Sequence, residues 1–151
     1  MKVYYKKLDK NAKVPVKSHP GDFCYDVWAT SREEIAPGIY KYGTGLAFEI
    51  DRGDGKGCVP VNPIDIDVRP RSSVWKTGLS LCNCEGTVDE PYRGEVCLMF
   101  YHVMPDMPIY EVGDRIGQIK LGFTVPMDFE EREELGETER GAGGFGSTGI
   151  K

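Results

Sequence analysis

Apolar and polar residues alternate with a period of two along four short stretches of the chain. These stretches are residues 45–50, 64–68, 95–103 and 115–121. Successive side chains of a β-strand point to opposite faces, so this alternation is the pattern expected of strands with one buried face. Helix is suggested only at residues 31–35 and 129–135, and both pieces are short. The pattern therefore predicts a chain built mainly from short strands.

Glycine and proline separate these stretches. The chain has 19 Gly and 10 Pro in 151 residues, and both residue types favour turns. Many short strands joined by such turns indicate an all-β antiparallel sandwich or barrel, and a jelly roll is the form that we expect. This length predicts one domain over residues 1–138, followed by a flexible Gly-rich C-terminal arm at 139–151.

Charge and composition exclude several classes of protein. The net charge of −5 and the pI of about 5.1 argue against a general nucleic-acid binder. Without a membrane-length apolar run or the apolar core of a signal peptide, the sequence predicts a cytoplasmic protein with no membrane partner. The five cysteines lack repeated C-x-x-C spacing, which favours reduced structural thiols over a zinc site.

The last eleven residues, 141–151, have the composition of a phosphate-binding loop. They contain a G-x-G-x-x-G pattern, and they miss a Walker A loop by one residue, because Ser147 stands where that motif needs Lys. Both motifs require a following helix, for which no residues remain, and an acidic stretch at 128–139 comes before them. With few large apolar groups, the segment is expected to be mobile until it orders over a phosphate. A tail without function is the alternative.

Two other segments carry groups suited to phosphoryl chemistry. Residues 70–78 place the guanidinium of Arg71 close to the hydroxyls of Ser72 and Ser73, which is a donor set for phosphate oxygens. Residues 86–94 are bounded by Gly and predict a hairpin with Asp89 near its tip. A carboxylate there can accept a proton from an attacking water. The alternative is a turn Asp that only caps its own backbone.

Two turns that lead into strands complete the set of candidate segments. Residues 113–121 carry Arg115 and Gln118 among apolar neighbours, and residues 19–28 carry Asp26 in an apolar setting. A buried carboxylate is costly without a partner. For Asp26 that partner is either an arginine or, through water, a metal ion.

In order and spacing, five segments resemble the five motifs of the trimeric dUTPase family. They are residues 24–27, 70–78, 86–94, 113–118 and 140–149. The resemblance implies a jelly-roll homotrimer with three active sites at subunit interfaces. It also implies Mg²⁺-dependent hydrolysis of dUTP to dUMP and pyrophosphate, by in-line attack of water on the α-phosphorus. Such an activity keeps uracil out of DNA and supplies dUMP for dTMP synthesis.

The resemblance implies a role for each motif residue. Asp89 would activate the water, Arg71 and Gln118 would act on the phosphate side, and Asp26 would reach Mg²⁺ through water. The hairpin would recognise uracil and deoxyribose, while the arm would stack on the base and clamp the β- and γ-phosphates. The implied substrate-binding residues are Ser72, Ser73, Asn83, Gly86, Val88, Tyr92, Arg140, Phe145, Gly146, Ser147 and Thr148.

Two other functions stay open on the sequence. A dCTP deaminase would share the fold, but it needs a glutamate at the position that we match to Met99, which cannot move a proton. At about residues 51–63 the chain carries an insertion that is longer than the family pattern leads us to expect. A nucleotide-responsive binding protein would use this insertion as a partner surface. Ammonia release from dCTP and turnover of dUTP distinguish these functions from hydrolysis.

Overall fold

The computed structural model describes residues 1–53 and 63–144, and the regular secondary structure of these residues is almost entirely antiparallel strand. A single 3₁₀ helix, Ser72–Lys76, interrupts the strands in this part of the chain. The strands are β1 (Lys2–Lys7), β2 (Tyr25–Trp28), β3 (Ser31–Ala36), β4 (Ile39–Gly43), β5 (Leu46–Asp51), β6 (Ile64–Arg69), β7 (Leu79–Leu81), β8 (Gly86–Val88), β9 (Cys97–His102) and β10 (Arg115–Phe123).

Two four-stranded sheets and one two-stranded sheet make up the fold. One four-stranded sheet has the order β2-β10-β6-β8, and the other has the order β3-β4-β9-β7. Strand β1 pairs with β5 along its whole length. The sheets join strands distant in sequence, as in the jelly roll that the turn pattern predicts. The all-β prediction is confirmed.

The core lies between the two larger sheets. Leu98 and Phe100 of β9 are buried, whereas Met99 and Tyr101 between and after them are exposed, so the predicted alternation is realised on this strand. The rings of Phe100 and Tyr42 meet edge to face with centroids 5.7 Å apart. From the opposite sheet, residues such as Ile116 join the same buried cluster. One contiguous core therefore packs against the sheet β2-β10-β6-β8, whose edge strands are β2 and β8.

Both helix predictions are wrong. Residues 31–35 lie in strand β3, which pairs with β4 from Ser31↔Gly43 to Ala36↔Ile39. The neighbouring strand supplies backbone partners along this register, and that pairing outweighs the helix preference of a short polar segment. Residues 129–135 form no helix and are exposed, because the segment offers no apolar face that packs on the core.

The described residues include four of the five cysteines and no helix that could span a membrane. Strand β7 ends at Leu81, so Cys82 and Cys84 lie in a turn and do not share a strand face. The four cysteines in the described ranges, Cys24, Cys82, Cys84 and Cys97, are free thiols. None of the helical segments in these ranges is long and apolar enough to cross a membrane.

Candidate active site

Asp26 on β2 is the centre of a buried polar network. Its carboxylate accepts hydrogen bonds from Arg71 Nε at 3.1 Å and from Gln118 Nε2 at 3.0 Å on one oxygen. The other oxygen accepts from Arg115 Nη1 at 3.0 Å and from Ser18 Oγ at 3.1 Å. Strand pairing brings these groups together, because Gln118 lies directly opposite Asp26 in the β2–β10 register.

Asp26 has arginine partners within the described residues. Only 2% of the residue is exposed, and burial alone would raise the pKa of its carboxyl. The hydrogen bond from Gln118 and the positive charges of Arg71 and Arg115 outweigh burial and lower the pKa. Two arginines are therefore among the four protein donors to Asp26, and each carboxylate oxygen accepts two of these donors.

The residues after β6 form the anion-binding half of the candidate site. Arg71 precedes the 3₁₀ helix and makes two side-chain hydrogen bonds. Its Nε donates to Asp26, and its Nη1 donates to Ser73 Oγ at 3.3 Å. Ser72 is exposed at the start of that helix. The network thus fixes a guanidinium beside two serine hydroxyl groups, which is an arrangement suited to phosphate oxygens.

The hairpin that follows β8 forms the other half. The backbone N–H of Tyr92 donates to the carbonyl of Asp89 at 2.9 Å and closes the turn. The Tyr92 hydroxyl donates to the carbonyl of Glu95 at 3.1 Å. A Cβ added at Gly94 would lie 2.3 Å from that hydroxyl, so only glycine leaves room for the tyrosine. The predicted turn at Asp89 is therefore present, but the strand pairing of a hairpin is not. Strand β8 pairs with β6, whereas β9 lies in the other sheet, so residues 86–94, still called the hairpin here, form a strand end and a turn.

Asp89 is exposed at the end of β8, and its carboxylate makes no hydrogen bond or ion pair within residues 1–53 and 63–144. Beside it lies a cleft of about 300 Å³, lined by Lys41, Val88, Tyr92, Glu95, Val96 and Cys97. At the base of the hairpin, Gly86 is buried, and a Cβ there would lie 3.0 Å from Asn83 Nδ2. An open carboxylate therefore stands next to a partly apolar cleft of nucleoside size.

The two halves lie at opposite ends of β6. Val88 pairs with Ile66, so Asp89 follows at the level of Asp65, whereas Gln118 pairs with Arg69. At about 3.3 Å per residue, the offset from Asp65 to Arg69 is about 13 Å along the strand. One copy of the chain therefore keeps Asp89 away from the group formed by Asp26, Arg71 and Gln118.

The C-terminal segment runs free of the core over its described length. Residues 124–142 are exposed, and Arg140 contacts its own turn, where its Nε donates to the carbonyl of Gly143 at 2.9 Å. The predicted site residues Phe145, Gly146, Ser147 and Thr148 lie outside the described residues.

Several residues of the site were not predicted from the sequence. Ser18 completes the Asp26 network from a loop, and nothing in its local sequence marks it. Lys41 and Cys97 line the hairpin cleft from β4 and β9. Their positions depend on the pairing of β4 with β9, which brings together residues far apart in the chain.

Solved structures with the same fold identify the structural class. A dUTPase of Staphylococcus bacteriophage 80alpha, determined with dUpNHpp, superposes with a TM-score of 0.72 at 22% identity, and the match covers 99% of each chain. A mutant dUTPase of S. aureus phage phi11, which coordinates a structural Mg(II) ion, gives a TM-score of 0.68 at 18% identity over 91% of this chain and 100% of the other. At these identities the likeness establishes the jelly-roll fold.

Sequence comparison establishes the family. Residues 10–149 match the dUTPase family model. A deoxyuridine 5'-triphosphate nucleotidohydrolase of Corynebacterium glutamicum is 39% identical over 146 residues, which are 95% of this chain and 91% of that protein. One of Nocardia farcinica is 40% identical over 147 residues, covering 95% and 83%. The chain belongs to the dUTPase family.

Proposed function

We propose that the protein hydrolyses dUTP to dUMP and pyrophosphate through in-line attack of water on the α-phosphorus. The observation that carries this proposal is the exposed carboxylate of Asp89, which has no partner within the described residues, beside a nucleoside-sized cleft, in a chain whose relatives are deoxyuridine 5'-triphosphate nucleotidohydrolases. The reaction would keep uracil out of DNA and provide dUMP for dTMP synthesis. The free thiols of the described cysteines suit a cytoplasmic location.

Asp89 acts as the general base in this proposal. It accepts a proton from the water that attacks the α-phosphorus, and such assistance typically contributes about 10²–10⁴-fold in rate. It is exposed and has no ion pair among residues 1–53 and 63–144, so its lone pairs are available for that water. Tyr92 packs under the deoxyribose and excludes a 2′-hydroxyl, while the backbone around Asn83, Gly86 and Val88 reads the edge of the uracil ring.

Arg71, Ser72, Ser73 and Gln118 act on the phosphate side. Arg71 and the serine hydroxyls donate to oxygens near the α–β bridge, where negative charge grows as pyrophosphate leaves. Asp26 serves this half indirectly, because its contacts to Arg71 and Gln118 fix their orientation before the substrate arrives.

Each active site uses more than one copy of the chain. The offset of about 13 Å along β6 is longer than any side-chain hydrogen bond can bridge. A homotrimer in which the hairpin of one copy faces Arg71 of another would complete the site. The arm of a copy, with Arg140, Phe145 and the 146–148 segment, then closes over the base and the β- and γ-phosphates.

The donor set of the described residues limits the role of Mg²⁺. No group of three His, Cys, Asp or Glu side chains in the described ranges could hold a metal ion, and Asp26 has its oxygens occupied by protein donors. We therefore infer that Mg²⁺ enters with the triphosphate as part of the substrate. Bound there, it would neutralise phosphate charge and hold the chain of phosphates in one shape.

Subunit complementation tests the shared site and the role of Asp89 together. Asp89→Asn and Ser72→Ala variants are prepared separately, and each is expected to release little pyrophosphate from dUTP. When the two are mixed, unfolded and refolded together, about one quarter of the sites receive a wild-type Asp89 from one copy and a wild-type Ser72 from another. Activity should rise toward about one quarter of the wild-type value.

The control is each variant refolded alone, which should stay at its own low rate. Equilibrium binding of dUpNHpp checks that Asp89→Asn still binds nucleotide. Refolded mixtures that gain no activity, although they assemble as the wild type does, would contradict a site shared between copies. Wild-type turnover by Asp89→Asn would contradict its role as the base.

A further inference from the structure

Glu90, the residue next to Asp89, is held by a two-pronged ion pair. Arg52 Nε donates to Glu90 Oε1 at 2.7 Å, and Arg52 Nη2 donates to Oε2. Both side chains are less than one-third exposed. The hydrogen bonds from Arg52 lower the pKa of Glu90, and those to Glu90 raise the pKa of Arg52. The pair is therefore charged at neutral pH, with its two groups in a fixed relative orientation.

Arg52 is itself anchored to the body of the fold. It follows directly after β5, and the carboxylate of the preceding Asp51 accepts from Tyr4 Oη at 3.0 Å and from the N–H of Gly53 at 2.8 Å. The Tyr4 contact ties this corner to β1. On the hairpin side, Glu90 Oε2 also lies 3.5 Å from the backbone N–H of Ile64, at the start of β6. Two strands of the framework thus converge on the side chain of Glu90.

The turn that carries Asp89 has few other restraints. Its backbone is closed by the bond from the N–H of Tyr92 to the carbonyl of Asp89, and Arg93 Nη1 donates to the Glu90 carbonyl at 2.6 Å. Both contacts lie within the hairpin and move with it. Within the described residues, the ion pair with Arg52 links this turn to the rest of the subunit through side chains.

We propose that Arg52 and Glu90 are positioning residues for Asp89, a role that rests on the function proposed above. The pair fixes the turn against β5 and β6, and so holds the Asp89 carboxylate where the attacking water must lie. It also neutralises the Glu90 charge next to the base. Neither residue needs to contact the substrate. Misplacing a reacting group by about 1 Å costs about 10²-fold in rate, so the restraint has a measurable effect.

Steady-state kinetics of Arg52→Met, Arg52→Lys, Glu90→Gln and the exchanged pair Arg52→Glu with Glu90→Arg test the proposal. Arg52→Met and Glu90→Gln should each lower kcat by about 10–100-fold with KM within about twofold, because the base is misplaced while the cleft is intact. The double variant Arg52→Met with Glu90→Gln should be no slower than either alone. Arg52→Lys and the exchanged pair should recover much of kcat.

Arg32→Met is the matched control. Arg32 also pairs with a glutamate, Glu111, through Nη1 and Oε1 at 2.6 Å, but on β3 and away from the hairpin. The Arg32→Met variant should keep the wild-type kcat. Melting temperature and sedimentation are measured for every variant, so that a loss of kcat is read only from folded assemblies.

Two results would overturn the proposal. The first is an Arg52→Met enzyme with wild-type kcat, and the second is an exchanged pair that folds and assembles but stays as slow as the single variants. The proposed function has a separate check. A wild-type protein that releases no pyrophosphate from dUTP would reject the function itself, whereas an active wild type with an inactive Asp89→Asn and a fully active Arg52→Met would reject only the positioning role.

Discussion

Replacing Asp26 by Asn removes one charge from the centre of the buried network and changes little else in size. The amide oxygen of Asn can still accept two hydrogen bonds, but its NH₂ group faces donors where the second carboxylate oxygen stood. The contact most affected is the one to Arg115 Nη1, 3.0 Å from that oxygen. Arg71 also loses its counter-charge.

The magnitude follows from the exposure of the two arginines. Removing one member of a fully buried ion pair costs about 3–5 kcal/mol. Here the side chains of Arg71 and Arg115 are 23% and 43% exposed, so both can recover part of their hydration. We therefore expect a loss of about 2–3 kcal/mol, close to that of one charge-assisted hydrogen bond. With a urea m-value of about 2 kcal/mol/M, the midpoint should fall by about 1 M.

Urea unfolding at one fixed protein concentration is the assay, because assembly makes apparent stability depend on concentration. Asp106→Asn, an exposed turn residue, is the control and should stay within about 0.5 kcal/mol of the wild type. The pKa of Asp26 is lowered from 3.8 in the folded protein. Its contribution is therefore fully present above about pH 4 and disappears as the pH falls through the folded-state value.

A stabilising charge at Asp26 is contradicted if Asp26→Asn unfolds at the wild-type urea midpoint at pH 7. It is also contradicted if the stability difference between the two proteins persists unchanged at a pH where the wild-type carboxyl is protonated. In either case the network would contribute geometry without stabilising charge.

Three further outcomes follow from the structure. Gly94→Ala should raise KM for dUTP about tenfold or more with little change in melting temperature, because the new Cβ displaces the half-exposed Tyr92; unchanged KM would contradict the contact. Truncation after Glu139 should abolish turnover and spare the assembly, and a near-normal rate would reject the closing arm. Burial raises the pKa of Cys97 to about 11, so iodoacetamide at pH 8 should label it about 100-fold more slowly than exposed Cys84, as followed by mass spectrometry; equal rates would contradict its burial.

Strands with one buried face were predictable from the sequence. The alternation over residues 95–103 gave β9, with Leu98 and Phe100 in the core. Strand β1 was missed because all six of its residues are exposed and carry no apolar periodicity tied to the core. The prediction of a helix over residues 31–35 was wrong because these residues pair with β4, and the local sequence does not indicate that pairing.

The chemistry of the site was only partly predictable. The apolar setting of Asp26 indicated that it needs a partner, but its partners are as far as 92 positions away in the sequence, as for Gln118. The distance between Asp89 and Arg71 also lay beyond the sequence, because it follows from strand register. The Arg52–Glu90 pair is a further long-range contact that no local motif marks.

Pyrophosphate release with Mg²⁺ from dUTP, dCTP, dTTP and UTP, measured in parallel on the wild-type protein, tests the central claim most directly. We expect pyrophosphate release from dUTP alone, because the hairpin recognises uracil and Tyr92 excludes a 2′-hydroxyl. If none of the four nucleotides releases pyrophosphate, the proposed hydrolase activity is contradicted. If several of them do, the hairpin is not the element that selects base and sugar.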